Sequence, residues 1–345
     1  MKKNLPLLLI LIVSFQNLNA QKLITSQDSM QVFHDQLFKV MKKNYIYKDS
    51  VNWTELESKV EQNLKQYPDF KSSLKEITTI FDVAKADHCK VYYNDDEFSG
   101  TYSGPTEKDF SEQWLKKFVT NPEFEVKVLD NQYGYILMPA MSFKDRSTEN
   151  LHQQAQVMYD AINTIKASNN ITGWIIDLRF NSGGDDMPMI SALYDFLGDT
   201  DVWSEMNLNG KRVGTVKLKK GKYINKSNTV AYINPKGALL DKAKVAVITN
   251  IATASSGEIT AMAFKGRDNT IFIGEKSNGK TTTNYIKMVA FGAYMTVSAG
   301  FDCDRNGVYY EHITPDIAVV KQDNFDDLLS DRNIQEAIKF ITATP

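Results

Sequence analysis

Residues 174–184 read WIIDLRFNSGG, an apolar run that ends in a polar turn with two adjacent glycines. A near-continuous apolar run of this kind predicts a strand buried on both faces, as in the parallel sheet of an α/β protein. Gly183 and Gly184 permit a tight turn with positive φ between this strand and a following helix. Because backbone amides near a helix start stabilise negative charge, the stretch predicts an α/β core with an anion-binding turn.

A second strand-turn-helix pattern covers residues 245–264 and places Ser255 and Ser256 at the start of a helix. A serine in this position is most often an N-cap, and it becomes a nucleophile only if a base removes its proton. Lys280 and His88 are the two candidate bases. The structural alternatives are a solvated loop lysine and a hydrogen-bonded histidine at the start of a strand.

The remaining pattern divides the chain into a signal segment and two further regions. Helical spacing from Ser26 to Ala84 predicts three helices, and residues 94–112 are polar enough to predict a loop. We therefore expect residues 21–123 to form a helical N-terminal region with a linking loop, and residues 124–345 to form the α/β core. Segment 201–243 is rich in Lys, Gly and Asn and is interpreted as a surface insertion.

Within the predicted core, strands and helices alternate, which favours a layered α/β architecture. The predicted elements are a hairpin at 124–138, helices at 151–167, 189–197, 256–264 and 333–341, and strands at 174–178, 245–249, 270–274, 284–290 and 293–298.

The composition excludes several classes of protein. The chain has 345 residues, 42% of them hydrophobic, with 40 basic against 42 acidic side chains. Such a balance argues against nucleic-acid binding, which needs a basic face. The four histidines are scattered and form no cluster with Cys89 or Cys303, so no metal site is predicted. Two cysteines so far apart in sequence do not establish a disulfide.

Residues 1–20 have the pattern of a secretory signal peptide: two lysines, an apolar run from Leu5 to Val13 and a small residue at Ala20. The apolar run is too short to cross a bilayer, and we expect cleavage after Ala20. The segment predicts a periplasmic or secreted protein without a membrane anchor.

Four segments, in this order along the chain, resemble the tail-specific (C-terminal-processing) serine peptidases, whose relatives include the tricorn core and the interphotoreceptor retinoid-binding modules. The segments are DHCK at 87–90, DLRFNSGG at 177–184, SSGE at 255–258 and ITPDIAV at 313–319. The resemblance covers residues 80–320 and implies a crotonase-like (ClpP/crotonase-type) layered core. The stretch from Lys90 to Phe124 is too short for the PDZ domain of the tail-specific enzymes.

Carried over by position, the resemblance implies that Ser255 is the nucleophile and that the amides of Gly184 and Ser256 form the oxyanion hole. In the branch with a serine and a lysine, Lys280 is the base and Asn284 follows it by four positions. In the branch that includes the tricorn core, the base is a histidine, here His88, oriented by an acid such as Glu311.

The resemblance implies an exported serine peptidase that acts on peptide or protein substrates and needs neither metal nor organic cofactor. The alternative is a non-catalytic binding protein for a peptide or an apolar ligand on the same fold. A coenzyme-A enzyme of the crotonase type is a third interpretation, which would not require Ser255 or Lys280. The sequence does not determine the substrate or the oligomeric state.

Overall fold

Residues 25–101, 104–168 and 170–343 are described by the structure, a computed structural model. The predicted signal peptide at residues 1–20 lies outside the described residues. Among the described helices, none combines the length and apolar character needed to cross a membrane. The described chain has a mixed α/β fold with a helical N-terminal region.

The helices and strands follow one another along the chain as α1 (Ser26–Asn44), α2 (Trp53–Leu64), α3 (Phe70–Ser73), α4 (Glu76–Ala84), β1 (Lys90–Tyr93), β2 (Asp96–Ser99), α5 (Glu112–Phe118), β3 (Glu125–Leu129), β4 (Tyr133–Leu137), α6 (Thr148–Ser168), β5 (Gly173–Asp177), α7 (Asp186–Ala192), α8 (Tyr194–Leu197), β6 (Thr200–Met206), β7 (Arg212–Lys219), β8 (Lys222–Asn225), β9 (Asn228–Tyr232), β10 (Val245–Thr249), α9 (Ser256–Met262), β11 (Thr270–Gly274), β12 (Thr282–Met288), β13 (Tyr294–Asp304), β14 (Ile317–Ala318) and α10 (Arg332–Thr342).

A six-stranded sheet in the order β14-β11-β10-β5-β4-β3 forms the centre of the core. Its strands are parallel except for the predicted hairpin of β3 and β4, which is antiparallel. Every residue of β5 and β10 is buried, because α6, α7 and α9 cover one face and α10 covers the other. β5 and β10 are adjacent and parallel, so the turns that follow them lie side by side.

The second sheet is antiparallel and runs in the order β2-β1-β13-β6-β7-β8-β9, with β12 also paired to β13. The interpretation of residues 201–243 as a surface insertion is wrong, because this segment contains most of β6 and all of β7 to β9. Val202, Val216 and Leu218 are buried in the same apolar cluster as residues of α6 and α9. The lysines of β7 lie only on its outer face, while the inner face is apolar. The composition of the segment is therefore polar although one face of the strand is buried.

The N-terminal helices pack on one another and against this second sheet, where Phe33, Leu37 and Phe81 share a buried cluster with Val91 and Met295. The predicted loop at 94–112 is partly wrong, because it contains β2 and the first residue of α5. β2 is a polar, partly exposed edge strand, so it has no apolar alternation to reveal it. The boundary between residues 123 and 124 stays a prediction, although β1 and β13 are paired across it.

Candidate active site

Ser255 lies in the turn between β10 and α9, with a strained backbone. Its φ of 52° and ψ of −120° fall in a region that residues with a side chain seldom adopt. Such a conformation costs on the order of 1–3 kcal/mol and is concentrated at functional sites. A sharp turn from a strand into a helix can present a serine hydroxyl beyond the carboxyl end of the strand.

The glycine turn after β5 touches Ser255. Gly183 and Gly184 have φ values of 114° and 109°. A Cβ at Gly184 would lie 1.9 Å from the carbonyl oxygen of Met141, and one at Gly183 would lie 2.9 Å from Cβ of Ser255, so both positions require glycine. The hydroxyl of Ser256 donates to the carbonyl of Gly184 over 2.7 Å and joins the two turns.

Two backbone donors remain available beside Ser255. Over the part of the chain that the structure describes, the N–H groups of Gly184 and Ser256 donate to no other residue. The adjacent amides are engaged, since Asp185 N–H donates to Met141 and Gly183 N–H donates to the side chain of Asn181. The predicted oxyanion donors are therefore the unpaired amides of this turn and of the start of α9.

Glu258 joins the Ser255 turn to the loop that carries Lys280. This fully buried carboxylate accepts through Oε2 from the N–H of Ser255 over 2.9 Å and from the N–H of Lys280 over 2.7 Å. Through Oε1 it accepts from the N–H of Gly279 over 2.7 Å and from the hydroxyl of Ser277 over 2.5 Å. Glu258 was not among the predicted site residues, although the spacing Ser-x-x-Glu at a helix start is the signal that identifies it.

His88 lies in a ring of polar contacts with β12 and β13. Its Nδ1 is 2.8 Å from the hydroxyl of Thr282, which donates to Ser298 over 3.2 Å. Ser298 donates to the side-chain oxygen of Asn284 over 2.9 Å, and the Asn284 amide donates to the carbonyl of His88 over 3.2 Å. Asn284, predicted only by its spacing from Lys280, thus positions His88.

Burial, together with the charge of Lys280, lowers the pKa of His88 to about 4 against the opposing effect of the Asp87 carboxylate. A neutral imidazole accepts a proton, so His88 is in the protonation state that a general base requires near neutral pH.

The Nζ of Lys280 forms an ion pair with the carboxylate of Asp87, the residue before His88. In the described contacts neither Lys280 Nζ nor the His88 ring forms a hydrogen bond with the Ser255 hydroxyl, and the Lys280 amine is engaged with a carboxylate. Glu258 and Asp87 thus bring the three predicted residues Ser255, Lys280 and His88 into one region.

Glu311 is not part of this arrangement. Its side chain is 79% exposed, and its carboxylate lies 4.0 Å from Nε2 of His312. Within the described ranges it forms no hydrogen bond or ion pair with His88.

A sequence profile of peptidase family S41 matches residues 132–319, more than half of the chain. The chain belongs to peptidase family S41. As a member of this family it is a serine-type peptidase, as the resemblance implied. It is 25% identical over 274 residues to the nisin-resistance protein of Lactococcus lactis subsp. lactis, a match that covers 79% of this chain and 78% of that protein.

Solved structures share the fold of this S41 peptidase. A lipoprotein from Streptococcus agalactiae superposes with a TM-score of 0.63 at 21% identity, over 92% of this chain and 96% of that one. A putative peptidase from Parabacteroides merdae gives a TM-score of 0.59 at 16% identity, over 93% and 98% of the two chains. The photosystem II D1 C-terminal processing protease gives 0.52 at 14% identity, over 89% and 96%.

Proposed function

We propose that this S41 peptidase hydrolyses peptide bonds with Ser255 as nucleophile, His88 as general base, and the amides of Gly184 and Ser256 as oxyanion hole. The observation that carries the proposal is the strained backbone of Ser255 at the start of α9, beside two unpaired amides. Strain of this kind persists where the surrounding structure holds it in place, as the Glu258 carboxylate does here.

The proposed reaction proceeds in two steps. His88 takes the proton of the Ser255 hydroxyl while the oxygen attacks the carbonyl carbon, and the amides of Gly184 and Ser256 stabilise the negative oxygen. The imidazolium then gives this proton to the leaving amine, and the peptide bond breaks to leave an ester on Ser255. Water, deprotonated by His88, attacks the ester and releases the acid product with the Ser255 hydroxyl restored.

The choice of His88 over Lys280 rests on their surroundings. The ring of Thr282, Ser298 and Asn284 holds His88, and its lowered pKa keeps the imidazole neutral. The Lys280 amine donates to Asp87. In this proposal its positive charge lowers the pKa of His88, and it takes no part in proton transfer.

Labelling of the folded protein with a fluorophosphonate probe tests the proposal. We expect the probe to label Ser255 in the unmodified protein. His88→Ala should lose this labelling, whereas Lys280→Ala should retain it. Complete loss in Lys280→Ala with retention in His88→Ala would move the base to Lys280. If no serine in the folded protein is labelled and no protein substrate is cleaved, the non-catalytic binding protein becomes the better description.

The acid limb of the pH profile gives a separate prediction. Because His88 must be neutral, kcat/KM of the unmodified enzyme should stay constant down to the pKa of His88, about 4. Lys280→Met removes a charge that lowers this pKa, so the limb should move to higher pH, towards the ordinary histidine value of 6.5.

The exposed Lys276 on the same loop is the control, and Lys276→Met should leave the limb in place. If the acid limb of kcat/KM stays at the same pH in Lys280→Met, the assignment of His88 as the general base is contradicted. Loss of activity at every pH in this variant would contradict it as well.

We also propose that the protein is exported. The pattern of residues 1–20 supports this, as does the similarity to a lipoprotein of Streptococcus agalactiae. Mass spectrometry of the protein from fractionated cells should find Gln21 at the N-terminus in the periplasmic or extracellular fraction. An intact Met1 in the cytoplasmic fraction would contradict the proposal.

The finer description of the core as crotonase-like is likewise a proposal. Its support is the layering of a parallel sheet between helices, with β5 and β10 each leading into a turn that supplies an oxyanion donor. Superposition of an experimental structure on a crotonase tests it, and mismatched strand order around β5 and β10 would overturn it.

A further inference from the structure

A buried carboxylate directly follows the proposed oxyanion turn, and the reaction described above assigns it no role. Asp185 is the residue after Gly184, and it is 1% exposed. A buried carboxylate is costly unless hydrogen bonds and a counter-ion compensate it. The contacts of Asp185 therefore indicate which part of the fold requires a charge at this position.

The chain that leaves β4, residues 138–143, runs parallel to the oxyanion turn, and we call it the β4 extension. The N–H of Met141 donates to the carbonyl of Gly183 over 3.2 Å, and the N–H of Asp185 donates to the carbonyl of Met141 over 2.7 Å. Met141 and Gly184 form a parallel bridge. The proposed oxyanion donor, Gly184, therefore lies between two residues that are both bonded to Met141.

The side chain of Asp185 adds one further bond to this pairing. Its Oδ2 accepts from the N–H of Phe143 over 2.9 Å. Phe143 follows Met141 by two positions, so the carboxylate takes the place of the next backbone acceptor in a parallel ladder. Because an amide without a partner is costly away from water, this bond holds the end of the β4 extension against the oxyanion turn.

Arg146 is the counter-ion of Asp185. Its Nε lies 2.8 Å from Oδ1 of Asp185, a buried atom that receives no hydrogen bond from the described residues. The guanidinium thus compensates the carboxylate through its charge rather than through an aligned hydrogen bond. The Arg146 side chain is 54% exposed, so the pair joins a buried acid to a base at the surface.

The ion pair also determines the charge beside the proposed oxyanion. A lone carboxylate on the residue after Gly184 would repel the negative oxygen that forms during hydrolysis. Water screens this repulsion only weakly, because Asp185 is buried. The positive charge of Arg146 offsets it, so the carboxylate can bind Phe143 without opposing the reaction.

We infer that Asp185 is a positioning residue for hydrolysis: its carboxylate holds the β4 extension against the oxyanion turn, with Arg146 as the counter-ion that neutralises it. This inference rests on the proposed peptidase function and on Gly184 as an oxyanion donor. Such a donor is most effective when its direction is fixed before the charge develops. Asp185 therefore acts on the transition state through the backbone of Gly184, without touching the substrate.

Steady-state kinetics test the inference, with a peptide selected from a proteome-derived library for Ser255-dependent cleavage and a peptide aldehyde of the same sequence as inhibitor. Asp185→Ala should lower kcat by about tenfold to a hundredfold at unchanged KM, because the oxyanion exists only after attack on the carbonyl. The aldehyde, which forms an oxyanion when Ser255 adds to it, should bind more weakly by a similar factor. Asp185→Asn keeps an acceptor for the N–H of Phe143 and should retain most of kcat.

Asp195→Ala is the matched control, because Asp195 is a buried acid on α8 that forms an ion pair with Lys166. It should lower the melting temperature without changing kcat or inhibition by the aldehyde. A kcat of folded Asp185→Ala equal to that of the unmodified protein would overturn the inference. Equal losses of kcat in Asp185→Ala and Asp185→Asn would overturn it too.

Arg146 provides a second test that does not depend on the alanine variant. Arg146→Met should lower kcat by about tenfold, because the charge of Asp185 is then uncompensated beside the oxyanion. In the Asp185→Asn background the same substitution should leave kcat unchanged. Equal effects of Arg146→Met in both backgrounds would contradict the inference. Absence of any Ser255-dependent cleavage by the unmodified protein would instead contradict the proposed function itself.

Discussion

Ser255→Ala is expected to lower kcat/KM for a protein substrate by at least about a thousandfold, because it removes the atom that we propose attacks the carbonyl. Fluorophosphonate labelling should disappear in the same variant. Ser182→Ala is the matched control, since Ser182 is exposed and lies in the neighbouring turn, and it should retain both signals. Residual labelling of Ser255→Ala would show that a different serine reacts.

The strain at Ser255 allows a second measurement on the same residue. Glycine adopts a φ of 52° without the steric cost that a Cβ imposes. Ser255→Gly should therefore raise the free energy of unfolding by about 1 kcal/mol while it abolishes hydrolysis. Urea denaturation of Ser255→Gly and Ser255→Ala separates the two effects, because alanine keeps the Cβ. Equal stabilities of the glycine and alanine variants would mean that the turn stores no strain.

The local pattern of apolar residues was sufficient to predict the central strands of the six-stranded sheet. β10 and β11 begin and end where the apolar runs at 245–249 and 270–274 predicted, because strands buried on both faces are apolar without interruption. The two turns that hold Gly184 and Ser255 were recognisable for the same reason, since each follows such a strand.

Pattern was insufficient where residues distant in sequence meet. Glu205 and Asp302 are brought together only by the register of β6 and β13, and no local spacing encodes that register. The polar ring around His88 likewise combines β12 and β13 with the residues before β1. Lys280 was predicted at the site, but the ion pair that directs its amine to Asp87 depends on a tertiary contact.

The largest loss of stability is expected from substitution of Arg179, two positions after the last residue of β5. Arg179 is 1% exposed, and its guanidinium donates to Asp177 over 2.6 Å, to Asp323 over 2.6 Å and to Asp331 over 2.8 Å. Burial alone would lower the pKa of Arg179, but these three carboxylates raise it well above its ordinary value. The guanidinium therefore joins the end of β5 to the segment before α10.

Arg179→Met should lower the free energy of unfolding by about 3–5 kcal/mol, because it leaves buried carboxylates without their counter-ion. Lys116→Met is the control, since Lys116 and Asp326 form an exposed pair, 65% and 57% accessible, whose loss should cost no more than about 1 kcal/mol. Urea denaturation measures both variants. A loss in Arg179→Met as small as that in Lys116→Met would contradict the role assigned to Arg179. Because the oxyanion turn begins directly after β5, we also expect Arg179→Met to lower kcat more than Lys116→Met does under conditions in which both variants are folded.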